Sequence, residues 1–322
     1  MTWLVTGGAG YIGAHAVKRL HAAGTPVVVY DNLSTGDTRR VPDGVPLVEG
    51  DVTDKAALAE AFAKHQVTGV LHFAAQKSVP VSMQRPVYYY EQNVGGLAAI
   101  VGAMTEAGVE RIVFSSTAAL YGLAPEEMLV EDLVVDPISV YGETKLIGER
   151  MLRFAGASHG FSWIALRYFN VVGADEPALG DTSVGNLVPI VFRCIDEGRT
   201  VSVTGGDYPT PDGSGVRDYI HVADLADAHV VAVNHLIARD AGAVGEVYNV
   251  GTGRGSSVLE VLDAVREVTG LEVPAEVVPR RPGDPARSVA GVAKIARDLD
   301  WRASRSLIEM VGDAWTAWRA AR

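Results

Sequence analysis

Residues 3–13 read Trp3-Leu4-Val5-Thr6-Gly7-Gly8-Ala9-Gly10-Tyr11-Ile12-Gly13, followed by Ala14-His15-Ala16-Val17-Lys18-Arg19-Leu20. An apolar run enters three glycines spaced Gly-x-x-Gly-x-x-Gly, and a helical pattern leaves them. The spacing therefore predicts a strand that turns into a helix around Gly7, Gly10 and Gly13. At such a junction the backbone N–H groups of the first helical turn point outward, and with no Cβ in the way they can hold a pyrophosphate. Glycine triplets are common in loops; the strand before this one and the helix after it give it meaning.

Outward from that turn, the run Val27–Tyr30 ends at Asp31-Asn32. An acidic side chain at the end of a second strand accepts hydrogen bonds from an adenosine ribose and repels a 2′-phosphate, so the expected cofactor is NAD rather than NADP. Asp51-Val52, after Leu47–Glu49, flanks the adenine in this reading, and a helix cap near Asp54 is the competing one. Further strands are predicted at Gly69–Phe73, Arg111–Ser115 and Trp163–Leu166, with amphipathic stretches between. Two of these helices are long, roughly Pro86–Gly108 and Ser139–His159. Strand–helix alternation of this kind predicts an α/β fold with a doubly wound parallel Rossmann sheet.

Beyond Gly173 the pattern changes. Gly, Pro and Asp cluster at 173–186 and 205–215, as in loops over a site or between lobes. The expected organisation is a dinucleotide-binding domain over 1–172, rejoined by about 217–245, and a smaller C-terminal α/β lobe over most of 173–322. Ser257-x-x-Glu260 and Ser306-x-x-Glu309 have capping-box spacing. In the last helix, Trp315 and Trp318 fall on a core-facing stripe.

A net charge of −11 without a basic run argues against nucleic acid as a partner. The single Cys194 lies in an apolar stretch and reads as a small buried hydrophobe, which fits a reducing compartment. No apolar run reaches the ~18 residues of a membrane span. A cytoplasmic protein with no membrane partner and no metal is expected.

The second informative stretch is Tyr141-Gly142-Glu143-Thr144-Lys145. Tyr141 and Lys145 stand four apart at a helix start and share a face. A phenol titrates near pH 10, so a base working near neutrality asks for a shift of about 3 units, roughly 4 kcal/mol. A neighbouring ammonium favours the phenolate. The glycine spacing, together with Tyr141-x-x-x-Lys145 between two strands, resembles the extended short-chain dehydrogenase/reductase superfamily. In that setting Thr117, in Ser115-Ser116-Thr117-Ala118-Ala119, offers its hydroxyl to the substrate oxygen that Tyr141 deprotonates, and Lys145 also holds the nicotinamide ribose.

Further stretches resemble the UDP-galactose 4-epimerase (UDP-glucose 4-epimerase) family over nearly the whole chain. They are Val5–Gly13, Asp31-Asn32-Leu33, Glu49-Gly50-Asp51, His72-Phe73-Ala74-Ala75, Leu166-Arg167-Tyr168-Phe169-Asn170, Asp207-Tyr208-Pro209-Thr210 and Gly215–Val222. The resemblance implies a UDP-sugar substrate, epimerised at C4 by transient oxidation to a 4-keto sugar, with NAD staying bound. It places Tyr11, Ile12, Phe73, Ala74, Lys77, Asn93 and Tyr168 around the cofactor. Asn170, Asn186, Leu187, Arg217, Tyr219, Arg281 and Asp284 would hold the nucleotide sugar. Two guanidiniums can clamp a diphosphate, and Asp284 can accept from a ribose hydroxyl. Four residues past Asp284, Ser288 stands where the family has Tyr in members restricted to plain hexoses and a small residue in those that accept N-acetylated sugars.

The family also implies a homodimer through a four-helix bundle of the two long helices, with faces carrying Ala98, Val101, Met104 and Leu146 or Met151. Two departures stand out: Ser78-Val79-Pro80-Val81-Ser82 replaces the commoner Ala-Val-Gly-Glu-Ser, and Thr117 replaces Ser. Nucleotide-sugar 4,6-dehydratases carry Asp-Glu after the catalytic Thr, where this chain has Ala118 and Ala119, so elimination lacks its proton donor. An NAD-sensing scaffold is the other alternative, and the joint presence of Tyr141, Lys145 and Thr117 argues against it.

Overall fold

The computed structural model describes residues 1–240, 242 and 244–322. The chain runs β1 (Thr2–Thr6), α1 (Tyr11–Ala22), β2 (Val27–Asp31), β3 (Leu47–Glu49), α2 (Lys55–His65), β4 (Val67–His72), α3 (Val79–Gln84), α4 (Pro86–Tyr89), α5 (Gly96–Ala107), β5 (Arg111–Thr117), α6 (Val140–His159) and β6 (Ser162–Tyr168). It continues with β7 (Asn170–Val172), α7 (Leu187–Glu197), β8 (Val201–Thr204), β9 (Val216–His221), α8 (Val222–Ile237), β10 (Gly245–Val250), β11 (Gly255–Ser257), α9 (Val258–Thr269), β12 (Ala275–Val278), β13 (Arg287–Ser288), α10 (Ala293–Leu299) and α11 (Leu307–Ala320). Contacts divide it into two units. The first comprises Met1–Leu120, Pro137–Arg167 and Ala226–Tyr248; the second comprises Tyr121–Asp136, Tyr168–Leu225 and Asn249–Arg322.

The first unit is built on a seven-stranded sheet of order β10-β6-β5-β4-β1-β2-β3. The pairs β1–β2, β1–β4, β2–β3 and β4–β5 are parallel, with an α-helix in every crossover but the one from β2 to β3, which has only a 3-10 turn at Thr38–Arg40. The order reverses at β1, which lies between β2 and β4, and this switch point is where doubly wound sheets open a crevice for ligands. Leu4, Val28, Val70 and Ile112 from the strands pack with Leu58, Phe62, Leu97, Ile100 and Leu152 from the helices in one buried core.

The helix expected at 86–108 is not uniform: α4 passes through a π-helical turn, Tyr90–Gly95, into α5. Such π-turns re-aim side chains and are frequent at functional sites. Just past it, a Cβ on Gly96 would lie 2.7 Å from Val52 Cγ2, so the missing side chain lets the helix seat against Val52. One expectation fails here. Val101 and Met104 belong to the protomer's own core and Leu146 is buried, so of the residues expected on partner-facing surfaces only Ala98 is exposed and Met151 half-buried.

In the second unit β9 is central: β11 pairs with it antiparallel, while β7 and β13 pair with it parallel. A separate parallel pair joins β8 and β12. Val172, Val203 and Tyr219 pack with Val191 and Phe192 of α7, Val261 and Leu262 of α9, and Val311 of α11. Both capping boxes form, at Ser257 and Ser306. The Trp315 and Trp318 rings pack at a tilt against Phe192, with centroids 5.0 and 5.9 Å away, and Cys194 is buried. Among the described residues no helix is long and apolar enough to cross a membrane, and no group of His, Cys, Asp and Glu side chains is arranged to hold a metal ion.

Candidate active site

The glycine turn closes tightly on itself. Gly7 has φ +71°, and a Cβ there would lie 2.7 Å from the Ala74 nitrogen, so any side chain would push β4's end away from β1. A Cβ on Gly13 would overlap the Gly7 carbonyl. Gly10 caps α1 without a side chain, so the cap itself offers no acceptor to the first-turn N–H groups at Tyr11, Ile12 and Gly13. A cradle that a Cβ would fill, at a helix N-terminus and at the sheet's switch point, suits a dinucleotide pyrophosphate.

Asp31 ends β2, buried beside that turn. Its Oδ2 accepts from the Ala9 N–H at 3.0 Å and its Oδ1 from the Leu33 N–H at 2.9 Å. Each oxygen keeps a further lone pair for a ligand hydroxyl. Asn32 donates to Asp51 Oδ2 at 2.8 Å. Burial by itself would raise the Asp51 carboxyl, but hydrogen bonds from Thr53 and Asn32 outweigh it and hold it below its ordinary range. The cap of α2 is Asp54, which accepts from Ala56 and Ala57, so Asp51 does not have that task. Val52 is buried.

At the end of β4, the Phe73 and Ala74 N–H groups both donate to the Thr6 carbonyl, at 2.9 and 3.1 Å. The next loop is clamped by Asn93 from the π-turn. Its Oδ1 accepts from the Gln76 N–H at 2.8 Å, and its Nδ2 donates to the Gln76 carbonyl and to Thr144 Oγ1, both at 3.0 Å. Asn93's side chain is thus engaged in fixing the segment that carries the exposed Lys77. His72 accepts or donates at Nδ1 with Thr6 Oγ1 at 2.6 Å, and burial, helped by the Lys145 charge, pushes its imidazole down to about 3.

Thr117, Tyr141 and Lys145 are all nearly inaccessible, at 8%, 8% and 3% exposure. Thr117 is the last residue of β5, and its Oγ1 accepts from the Ala119 N–H at 3.2 Å. Ser139 caps α6 by accepting from the Gly142 N–H. A Cβ on Gly142 would lie 2.9 Å from the Ala119 carbonyl, so the glycine lets the start of α6, with Tyr141, seat against the turn after Thr117. One turn later Lys145 Nζ donates to the Ser115 carbonyl at 2.8 Å. Burial pushes the Lys145 ammonium down to about 7, and Glu149 works against that shift.

In the second unit the expected sugar-side residues fall on one sheet, at the start of α7 and on the loop between β12 and β13. Asn170 on β7 is in register with Tyr219 on β9, and Ser288 on β13 with Arg217 on β9. Arg217 and Tyr219 are two apart on one strand and share a sheet face, so the four residues stand in a block. Burial pushes the Tyr219 phenol up to about 12, against the lowering effect of Arg217. Arg217 is half-buried, with Nη1 donating to the Val216 carbonyl at 2.8 Å. Tyr168, also half-buried, ends β6.

Asn186 stands at the N-cap position of α7, whose first residue is Leu187, but its side chain makes no capping bond; instead its Nδ2 donates to Asp181 Oδ2 at 3.0 Å. Of the two adjacent arginines, Arg280 is tied down, pairing with Asp207 at 2.6 Å and lying 4.2 Å over the Tyr208 ring. Arg281 is exposed; Asp284 is half-buried, and its N–H donates to the Arg281 carbonyl.

Several residues escaped the sequence reading. Asp218, within the Val-Arg-Asp-Tyr stretch, is fully buried and accepts from the N–H groups of Thr252, Gly253 and Ala290 and from the Thr252 hydroxyl. It ties the turn after β10 to β13 and so fixes where Ser288 sits. In the first unit Glu149 forms a buried ion pair with Arg167 and accepts from Ser116. Its spacing four residues after Lys145 was the available signal.

Residues 3–251 match the NAD dependent epimerase/dehydratase family. A UDP-glucose 4-epimerase of Lacticaseibacillus casei is 42% identical over 99% of this chain and 96% of its own length. One from Azospirillum brasilense is 47% identical over 92% of this chain and 86% of its own. A UDP-glucose-4-epimerase structure from Stenotrophomonas maltophila, with bound NAD and formylated UDP-arabinopyranose, superimposes with a TM-score of 0.94 at 40% identity, covering 100% of this chain and 98% of that one. With the glycine cradle, the Tyr–Lys pair and this likeness all in one chain, the protein belongs to the NAD-dependent epimerase/dehydratase family and, within it, to the UDP-glucose 4-epimerases.

Proposed function

We propose that this enzyme, working in the cytoplasm, inverts C4 of a UDP-hexose, interconverting UDP-glucose and UDP-galactose. The observation that carries the reading is the buried set Thr117, Tyr141 and Lys145, on the same unit as the glycine cradle and Asp31. Gly7, Gly10, Tyr11, Ile12 and Gly13 would receive the pyrophosphate, and Asp31 the adenosine ribose. Asp51 and Val52 would flank the adenine, with Phe73, Ala74, Lys77, Asn93 and Tyr168 completing the cofactor's surroundings. Bound NAD supplies a reversible hydride acceptor for C4.

Tyr141 takes the proton of the C4 hydroxyl and returns it to the opposite epimer, while the sugar passes through a 4-keto form. Thr117 donates to the same oxygen, and its methyl replaces nothing the hydroxyl needs. Lys145, as an ammonium, favours the phenolate and holds the nicotinamide ribose hydroxyls. Ala118 and Ala119 give no acid for elimination, which disfavours a dehydratase. Asn170, Asn186, Leu187, Arg217, Tyr219, Arg281 and Asp284 are the candidate contacts to the nucleotide sugar. The small Ser288 leaves room for an acetamido group, so the reading extends to UDP-N-acetylglucosamine and UDP-N-acetylgalactosamine. The test is separate incubation with UDP-glucose, UDP-N-acetylglucosamine and UDP-xylose, with products resolved by chromatography; no UDP-galactose from UDP-glucose sinks the proposal.

Homodimerisation belongs to the same reading, through α5 and α6, on faces that carry Ala98, Met151 and the exposed Phe154. Light scattering at micromolar concentration should give twice the mass of one chain; a monomer there removes the claim.

A further inference from the structure

The first unit buries a second set of charges that the proposed chemistry does not use. Ser115, Ser116 and Thr117 are consecutive at the end of β5, and α6 grips the first two from positions one turn apart. Lys145 Nζ donates to the Ser115 carbonyl at 2.8 Å, and Ser116 Oγ donates to Glu149 Oε1 at 2.6 Å. Glu149 is in turn held by Arg167 of β6 through two parallel bonds, Nε to Oε1 at 2.9 Å and Nη2 to Oε2 at 2.6 Å. Both side chains are 6% exposed. Desolvating such a pair costs about as much as its attraction returns, so stability is a weak reason for its presence.

We propose that Glu149, locked by Arg167 and Ser116, is a positioning residue of the active site, placing a fixed negative charge one helical turn from Lys145 so that Lys145 can act on Tyr141 as an ammonium. The inference rests on the functional reading above. The charged and titratable groups that couple to Lys145 include Glu149 on its own helix and His72 on β4, and Arg167 on β6 brings its positive charge to the same cluster through Glu149; Tyr141 stands one turn before Lys145 on the same helix. Burial leaves His72 neutral at ordinary pH, so Glu149 supplies the anion. The Phe114 ring, 4.8 Å from Nζ, also favours the cation. An ammonium held near neutrality at about 7 is poised to respond to a change of one neighbouring charge.

The test follows Tyr141 ionisation in the NAD-bound enzyme, as the phenolate absorbance difference between each protein and its Tyr141→Phe counterpart. Glu149→Gln keeps the shape and an acceptor for Ser116 but removes the charge. It should move the Tyr141 titration up by about one pH unit, close to a tenfold loss of phenolate at neutral pH. kcat should fall in proportion while KM for the UDP-sugar holds. Because that variant strands a buried guanidinium, whose own charge also disfavours the Lys145 ammonium, Glu149→Gln/Arg167→Met serves as its partner; it should regain thermal stability while keeping part of the upward shift of the titration. An unmoved titration in both, or a titration and an activity that return in full together with stability in the double variant, overturns the proposal and leaves Glu149 a structural residue. The phenol titration needs no substrate, so absent UDP-glucose activity in the wild type overturns the functional reading separately.

Discussion

The two units carry their chemical side chains in opposite ways. In the first, Thr117, Tyr141, Lys145, Asp31 and Asn93 are all buried and sit at strand ends, at a helix start or on the π-turn, each held by hydrogen bonds or packing from its own unit. In the second, Asn170 and Arg281 are exposed, and Asn186, Leu187, Arg217, Asp284 and Ser288 are half-buried, several of them on loops. Tyr219 is the exception. A proton-transfer group must be aligned before the substrate arrives, because misplacement of about 1 Å costs rate directly. Groups that only grip a ligand can stay solvated and exchange water for ligand contacts. The difference implies that damage to the first unit appears in kcat and damage to the second in KM.

The largest expected effect breaks that comparison most cleanly. Tyr141→Phe keeps the ring and removes the proton carrier, so kcat should fall by about 10²–10⁴-fold while NAD stays bound. Steady-state rates and the NAD content of the purified variant check both halves. Near-normal turnover would remove Tyr141 from the chemistry and with it the contrast between the units.

On the other side, the two neighbouring arginines sharpen the argument. Arg280 is occupied by Asp207 and Tyr208, whereas Arg281 is exposed. If Arg281 clamps the diphosphate, Arg281→Ala should raise KM for the UDP-sugar by about 10–100-fold, the value of one charge-assisted bond, with kcat changed less. Arg280→Ala should act only by loosening the loop and cost about threefold or less, as exposed ion pairs do. The reverse ranking would assign the clamp to the wrong guanidinium.

Ser288→Tyr probes sugar choice rather than binding as a whole. Filling the space beside Arg217 with an aromatic ring should depress turnover of N-acetylated UDP-sugars by about tenfold or more, the cost of overpacking a small site, and spare the plain pair. Equal loss on both pairs, or no wild-type activity on the N-acetylated pair, removes Ser288 as the gate.

How much of this could be read beforehand follows the same division. Val27–Asp31 and Arg111–Thr117 are β-branched, apolar runs between helical patterns, and both fall where the sequence places strands; the glycine spacing located the turn that joins β1 to α1. Local rules sufficed because each element obeys one periodicity. Asn170, Arg217 and Ser288 lie far apart in the chain and meet only through the pairing of β7 and β13 with β9, which no local pattern announces. They were reachable through family resemblance alone. The partner-facing stripe went wrong at Val101 and Met104 for a related reason. An apolar face on a helix says that something covers it, not whether the cover is the same chain, and here it is the core around Phe62 and Ile100.

The smallest expected effect compares two buried histidines, one per unit. Burial pushes His72 from an ordinary 6.5 down to about 3, with the Lys145 charge adding to it. His221 is likewise lowered, chiefly by burial and then by Arg305, but Asp313 beside its Nε2 at 3.2 Å pulls the other way. A depressed folded value means that, between about 3 and 6.5, the unfolded chain binds a proton the folded one refuses. Stability therefore falls as pH drops through that window, by at most about 1.4 kcal/mol per pH unit for one imidazole. Above pH 6.5 neither state binds the proton and the dependence vanishes. Denaturant unfolding at several pH values from 7.5 to 4.5, in wild type, His72→Asn and His221→Asn, reads the slopes. His72→Asn should flatten the acid slope most. His221→Asn should flatten it less, because the Asp313 carboxylate lets the folded state accept part of its proton. If the two variants lose slope equally, the neighbouring anion has no influence on His221. A greater flattening in His221→Asn would show that solvent reaches His72 more readily than its packing between Thr6 and Phe114 allows.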